Sequence, residues 1–278
     1  PLAGLGTAGN AFDFVLNSLA RFAVPFFFLT SGYLWTNKTP HTPLGDYTAS
    51  YLRKLASLYL LAIIINAPFK FLFTIGEAIK HNTPAISAIT TKALTVLNPI
   101  NLLYYGKGLT GGLWFLTALF YSILAVAIAR KYNLLTVFLS VATLLHILGL
   151  FEPLSFIYAV PFDPIDALFV GFFYTSAGSA IAIYRDKIPL SYSNTYLTIF
   201  LGASVLRIAE TYILGYEFGA GDVATIHQGV YTVGYIPLTV IVAISVFLFA
   251  LSRPTLGEGT PLPNLGKYAV GVYIIHPA

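Results

Sequence analysis

The sequence predicts an all-α fold: a polytopic transmembrane helical bundle. Three observations carry that prediction. First, hydrophobic residues make up 57% of the 278-residue chain and charged residues only 9%. An ordinary soluble domain is about 25% charged, so these few charges cannot clothe a water-facing surface. Second, mean hydropathy is +0.78. Third, the apolar residues form continuous runs such as Leu60-Leu61-Ala62-Ile63-Ile64-Ile65. A transmembrane barrel would alternate over segments of about 10 residues. Helices also satisfy every backbone group within one segment, as hydrocarbon demands. A soluble enzyme is excluded. Nucleic acid is not an expected partner, because 15 Lys+Arg face 11 Asp+Glu in a small excess spread along the chain. The absence of cysteine removes disulfides, thiol catalysis and cysteine metal sites; no zinc motif occurs and no metal site is expected.

A crossing helix needs about 20 mostly apolar residues. In order, the stretches 14–36, 55–75, 111–130, 133–150, 165–184, 194–214 and 229–251 meet that need or nearly do. An eighth begins near Leu265 and is cut off at Ala278. Polar or Pro-bearing loops such as Thr36-Asn37-Lys38-Thr39-Pro40 and Pro261-Leu262-Pro263-Asn264 separate them. The expectation is therefore seven complete spans plus one truncated span, forming a single integral-membrane domain over 1–278. The chain starts at Pro1, contains no Met and ends inside an apolar segment, so it reads as truncated at both ends.

Basic residues orient the spans. Lys38, Arg53, Lys54, Arg130, Lys131, Arg185, Lys187, Arg253 and Lys267 fall on one side. The other side holds Lys80, Lys92 and Lys107, with Lys70 near the end of the second span. The first group should face the cytoplasm. In the long outer loop, Thr83 reads as an N-cap and Pro84 as a first helical residue. Ile86, Ile89, Ala93 and Leu97 then share one face, as in a helix lying in the membrane interface; a substrate-covering lid is the alternative. Gly4-Leu5-Gly6-Thr7-Ala8-Gly9 matches a dinucleotide fingerprint only in letters, because no strand precedes it.

The informative segment is Arg21-Phe22-Ala23-Val24-Pro25-Phe26-Phe27-Phe28-Leu29-Thr30-Ser31-Gly32-Tyr33-Leu34. It joins an intramembrane Arg, a Pro that removes a backbone donor and a small Ser-Gly pair that permits close helix approach. This segment resembles the second helix of the acyltransferase-3 family of membrane acyltransferases. Tyr51-Leu52-Arg53-Lys54-Leu55, Leu113-Trp114-Phe115-Leu116-Thr117-Ala118-Leu119 and the stretch from Leu265 to His276-Pro277 are similar to later family segments, in order. The branch that O-acetylates surface polysaccharides looks nearest. The resemblance implies transfer of an acyl group, usually acetyl from acetyl-CoA, to a hydroxyl of a sugar or lipid-linked glycan. It implies acyl-CoA as donor substrate, no tightly bound cofactor, and residence in a bacterial inner membrane. The family's catalytic His would lie in a helix before Pro1. None of His41, His81, His146, His227 or His276 matches it, so this chain is expected to lack that residue.

Each candidate residue has a plainer alternative. Arg21, a charge inside a span, defaults to a functional hypothesis, as oxyanion partner; the alternative is an Arg that snorkels outward or pairs with a carboxylate. Arg207 and Glu210 share a helix face three residues apart. They join Arg21 around the acceptor, or simply pair with each other. Arg53 and Lys54 bind the phosphates of CoA or serve as positive-inside anchors. Trp114 stacks substrate or anchors at the interface. Tyr273 and His276 complete the substrate-binding candidates. His146 is expected to make a packing hydrogen bond. A small-solute transporter or exporter is the alternative function, since transporters also carry intramembrane charge.

Overall fold

A computed structural model describes residues 6–39, 44–107, 109–151, 165–218, 225–231, 233 and 236–275. Among them all regular structure is helical. The order is α1 (Gly6–Ala20), α2 (Ala23–Lys38), α3 (Leu44–Lys80), α4 (Ala85–Leu97), a π-helical turn (Ile100–Tyr105), a 3-10 turn (Gly111–Leu113) and α5 (Trp114–Lys131). Then come α6 (Leu135–Gly149), a second π turn (Ala167–Gly171), α7 (Phe172–Ile183), α8 (Ser193–Tyr212) with a third π turn (Ile213–Glu217), α9 (Pro237–Ser252), α10 (Leu262–Leu265) and α11 (Ala269–Ile275).

Four helical stretches, Ala8–Lys38, Leu44–Lys80, Gly111–Lys131 and Ser193–Glu217, are long and apolar enough to cross a membrane. The stretches 133–150, 165–184 and 229–251 were also expected at full length. They give the shorter apolar helices Leu135–Gly149, Ala167–Ile183 and Pro237–Ser252. The last begins at Pro237 because Pro suits the first helical position, while 226–228 form turns.

The first expected span is two helices. Pro25 has no N–H to give the carbonyl of Arg21, and the chain turns at Arg21 and Phe22. The new helix starts with Phe26 N–H donating to the Phe22 carbonyl at 2.9 Å. The outer-loop helix also differs in detail. Pro84, with extended backbone, occupies the cap position of α4. The Thr83 hydroxyl turns back to the Ala78 carbonyl at 3.2 Å. Ile89 and Ala93 are half-buried, whereas Ile86 and Leu97 are exposed. The expected face is therefore split between protein and surroundings.

The bundle centre lies among α2, α5 and α7, where Phe28, Leu29, Trp35, Ile123, Val126 and Tyr174 are buried. Gly32 and Gly178 set how close α2 and α7 come. A Cβ on Gly32 would overlap the Thr175 carbonyl, and one on Gly178 the Leu29 carbonyl. The Thr36 hydroxyl then bonds Ser179 Oγ at 2.7 Å across the same contact. By contrast α3 presents Leu60, Ile64, Leu72 and Phe73 outward, as a helix facing acyl chains does. At one end of the bundle Arg130 donates to Thr39 Oγ1 and covers the Trp35 ring at 5.4 Å. Arg253 donates to Ser193 Oγ at 2.9 Å and to Asn194 Oδ1 at 3.3 Å. Cations here complement the negative C-terminal ends of α5 and α9.

Candidate functional site

The break after α1 decides where Arg21 goes. At 1.5 Å per residue it stands roughly 26 Å along the axis from Lys38, at the far end of α2. There it borders a cavity of about 320 Å³, with Lys107, Trp114, His146, Tyr174 and Thr239 also in the wall. Among the described residues no hydrogen bond or ion pair to Arg21 is present, so the guanidinium keeps its planar fork for a guest.

Several helix starts meet at this cavity. Val24 and Pro25 belong to the first turn of α2, and Gly111 and Trp114 to the start of α5. Ile165 and Val170 come from the start of the α7 segment, and Thr239 from the first turn of α9. Helix N-termini carry partial positive charge and unsatisfied N–H groups. With Arg21 and Lys107 they make the cavity a place for negative charge. Gly106 helps to place Lys107: it has φ 63° and packs against Trp114 and Thr117. Only a residue without Cβ turns the chain there cheaply.

His146, near the end of α6, also lines this cavity. Its Nδ1 lies 2.8 Å from the Phe169 carbonyl. A carbonyl only accepts, so Nδ1 carries a hydrogen. The ring stacks on Phe173 at 4.2 Å and meets Tyr174 edge-on at 5.0 Å. The expected packing bond is therefore present, and the same residue borders the Arg21 cavity. Beyond it, the Tyr104 hydroxyl donates to Asp166 Oδ2 at 2.8 Å. Burial first, then the hydrogen bond and charge of Asp166, push the Tyr104 phenol above its ordinary range, so it stays a donor. Asp166 Oδ1 meanwhile accepts from Phe169 N–H at 3.0 Å, fixing the π turn beside His146.

Arg207 and Glu210 were expected around the same acceptor or paired with each other. No ion pair joins them among the described residues. Arg207 is buried and donates to Thr239 Oγ1 at 2.9 Å, to the Val233 carbonyl at 3.1 Å and to the Ser18 carbonyl. It thus ties α1, α8 and α9 together behind the cavity wall. Glu210 Oε2 accepts from Leu238 N–H at 3.3 Å, capping α9, whose Ile236 offers no side-chain cap. Glu210 borders a second, apolar cavity of about 480 Å³ that shares Leu150 and Ile236 with the first.

The remaining candidates are spread out. Trp114 is at the cavity, tilted against Phe28 at 6.1 Å between ring centres. The Tyr273 hydroxyl donates to the Gly112 carbonyl and its ring meets Phe115 at 5.6 Å. It joins α11 to the start of α5, outside the cavity wall. Arg53 and Lys54 are exposed on α3, about ten residues from its basic-side end, and border neither cavity. His276 lies outside the described residues. Lys107, Tyr174 and Thr239 were not singled out as site residues from sequence. Among the described residues no cluster of metal-ligating side chains occurs.

A family model described as an acyltransferase domain matches residues 3–278. No curated protein and no solved structure matches the chain. Nothing in these comparisons supports the transporter alternative.

Proposed function

Because the chain belongs to that acyltransferase family, an integral-membrane one, we propose that the Arg21 cavity is where it transfers an acyl group, most simply acetyl, from acyl-CoA to a hydroxyl of a sugar or lipid-linked glycan. The observation that carries this reading is the unpaired Arg21 guanidinium facing a cavity ringed by helix N-termini. Acyl transfer builds negative charge on the thioester oxygen, and fixed donors in a water-poor site stabilise it. In the reaction the acceptor hydroxyl gives its proton to a base. Its oxygen bonds the carbonyl carbon, the C–S bond breaks, and CoA leaves as a thiolate that takes up the proton. The base is the histidine that the resemblance assigns to a helix preceding Pro1. Trp114 offers a face for a sugar ring, and Lys107 a second positive group. Arg53 and Lys54 meet the phosphates of CoA at the basic face. The membrane is a bacterial inner membrane, and surface polysaccharide is the acceptor class.

The test uses the full-length protein in membranes with labelled acetyl-CoA. Labelled acetyl should appear in membrane glycan. Arg21→Lys keeps the charge but loses the fork, and transfer should fall about 100-fold. Undiminished transfer by Arg21→Lys and Arg21→Ala would return Arg21 to a snorkelling role.

A further inference from the structure

The second cavity extends this reading. Leu206, Ala209, Ile213 and Leu214 of α8 and its π turn, with Phe218 just after it, form one wall, and Pro237 and Leu238 of α9 the other. Leu206, Ile213 and Phe218 are exposed on the outside of the bundle, so the groove opens sideways toward the bilayer. The π turn matters here: an extra residue per turn bulges the helix where the groove reaches Ile213 and Leu214. The inner end of the groove is Leu150 and Ile236, and those two side chains also border the cationic cavity. An apolar slot open to lipid thus runs up to a pocket holding Arg21 and Lys107. That sequence of environments matches an amphiphile: hydrocarbon chain first, phosphate-bearing headgroup second. A carboxylate facing lipid is costly, and Glu210 is held in place there as the cap of α9. Glu210 stands in this slot with Oε2 on Leu238 N–H, where it accepts hydrogen bonds and suits the hydroxyls of a sugar passing between slot and pocket.

We propose that this groove seats the hydrocarbon chain of a lipid-phosphate-linked sugar, which is delivered sideways from the outer leaflet as the acyl acceptor. The proposal rests on the acyl-transfer reading for what happens to the sugar, but the binding stands without it.

The experiment therefore reads binding. The full-length protein, in detergent, is irradiated with a prenyl-phosphate sugar that carries a diazirine in its chain, and the labelled peptides are mapped. Label should fall within 206–218 and 236–238. Ala209→Trp fills the groove from an exposed position. It should lower labelling about tenfold, the loss of contact for two to three methylenes. Arg21→Ala should lower it similarly by removing the phosphate partner. Leu201→Trp, exposed on α8 outside the groove, should leave it unchanged. Labelling that persists in Ala209→Trp overturns the proposal, as does equal labelling by a diazirine-tailed phosphatidylglycerol, which would make the groove an ordinary lipid contact. If labelling follows these expectations while no acetyl is transferred, the acyl-transfer reading fails and the groove stands.

Discussion

Arg21 and Arg207 are both arginines within membrane-spanning stretches, yet the chain uses them differently. Arg207 is held by three oxygens from three parts of the chain. Hydrogen bonds to a charged group contribute about 1.5–3 kcal/mol each, and leaving buried acceptors unmet adds cost. Arg207→Ala should therefore destabilise by about 3 kcal/mol or more, read as a lower melting temperature in detergent. Arg21→Ala removes no protein partner, so it should leave melting nearly unchanged while abolishing most transfer. A matched fall in melting for both would show Arg21 to be structural. Glu210→Gln keeps an oxygen for Leu238 N–H, so its stability cost should stay below about 1 kcal/mol. Arg21 could be singled out from sequence because a charge in a span is expensive wherever it points. His146 could not: a lone His in an apolar run reads alike whether it faces a cavity or a core. Lys107 is aimed by the φ 63° turn at Gly106, and no periodicity announces such a turn.

At the scale of helices, contact between α2 and α7 depends on two glycines used reciprocally. Each lies against a carbonyl of the other helix, and backbone cannot rotate away as a flexible side chain can. Gly32→Ala and Gly178→Ala should each destabilise by about 3 kcal/mol through overpacking. Gly202 on α8 has open space around it, and Gly202→Ala should stabilise by about 0.5–1 kcal/mol. Equal tolerance at all three positions in a thermal-shift series would refute the close-approach account. The Ser31-Gly32 pair announced close packing in the sequence, and that contact is where the structure puts it. The break before Pro25 was less legible. Pro in a first helical turn is well tolerated, so hydropathy alone runs 14–36 together, and the turn at Arg21 that opens the cavity stays hidden. The same blindness applies to the short helices. Composition marks 229–251 as apolar throughout, while Pro237 decides where its helix begins.

For the whole molecule, charge and helix direction make one argument about sidedness. Arg130, Arg185 and Arg253 all lie at or just beyond helix C-termini, while the helix starts of α2, α5 and α9 meet at the opposite end around Arg21. The positive-inside rule predicts that the basic loops stay in the cytoplasm, which would place the cavity toward the outer face with the positive helix ends pointing outward. Single cysteines test this cleanly, because the natural chain has none. Asp186→Cys and Glu258→Cys should resist a membrane-impermeant thiol reagent applied to intact cells, whereas His81→Cys should react. The reverse pattern would invert the bundle. It would also turn the Arg21 cavity toward the cytoplasm, where acyl-CoA could enter it directly. Under the expected pattern a donor reaching the protein from the cytoplasm would instead have to pass its acyl group toward the outer half. Labelling therefore fixes the orientation and, with it, the face toward which the Arg21 cavity opens.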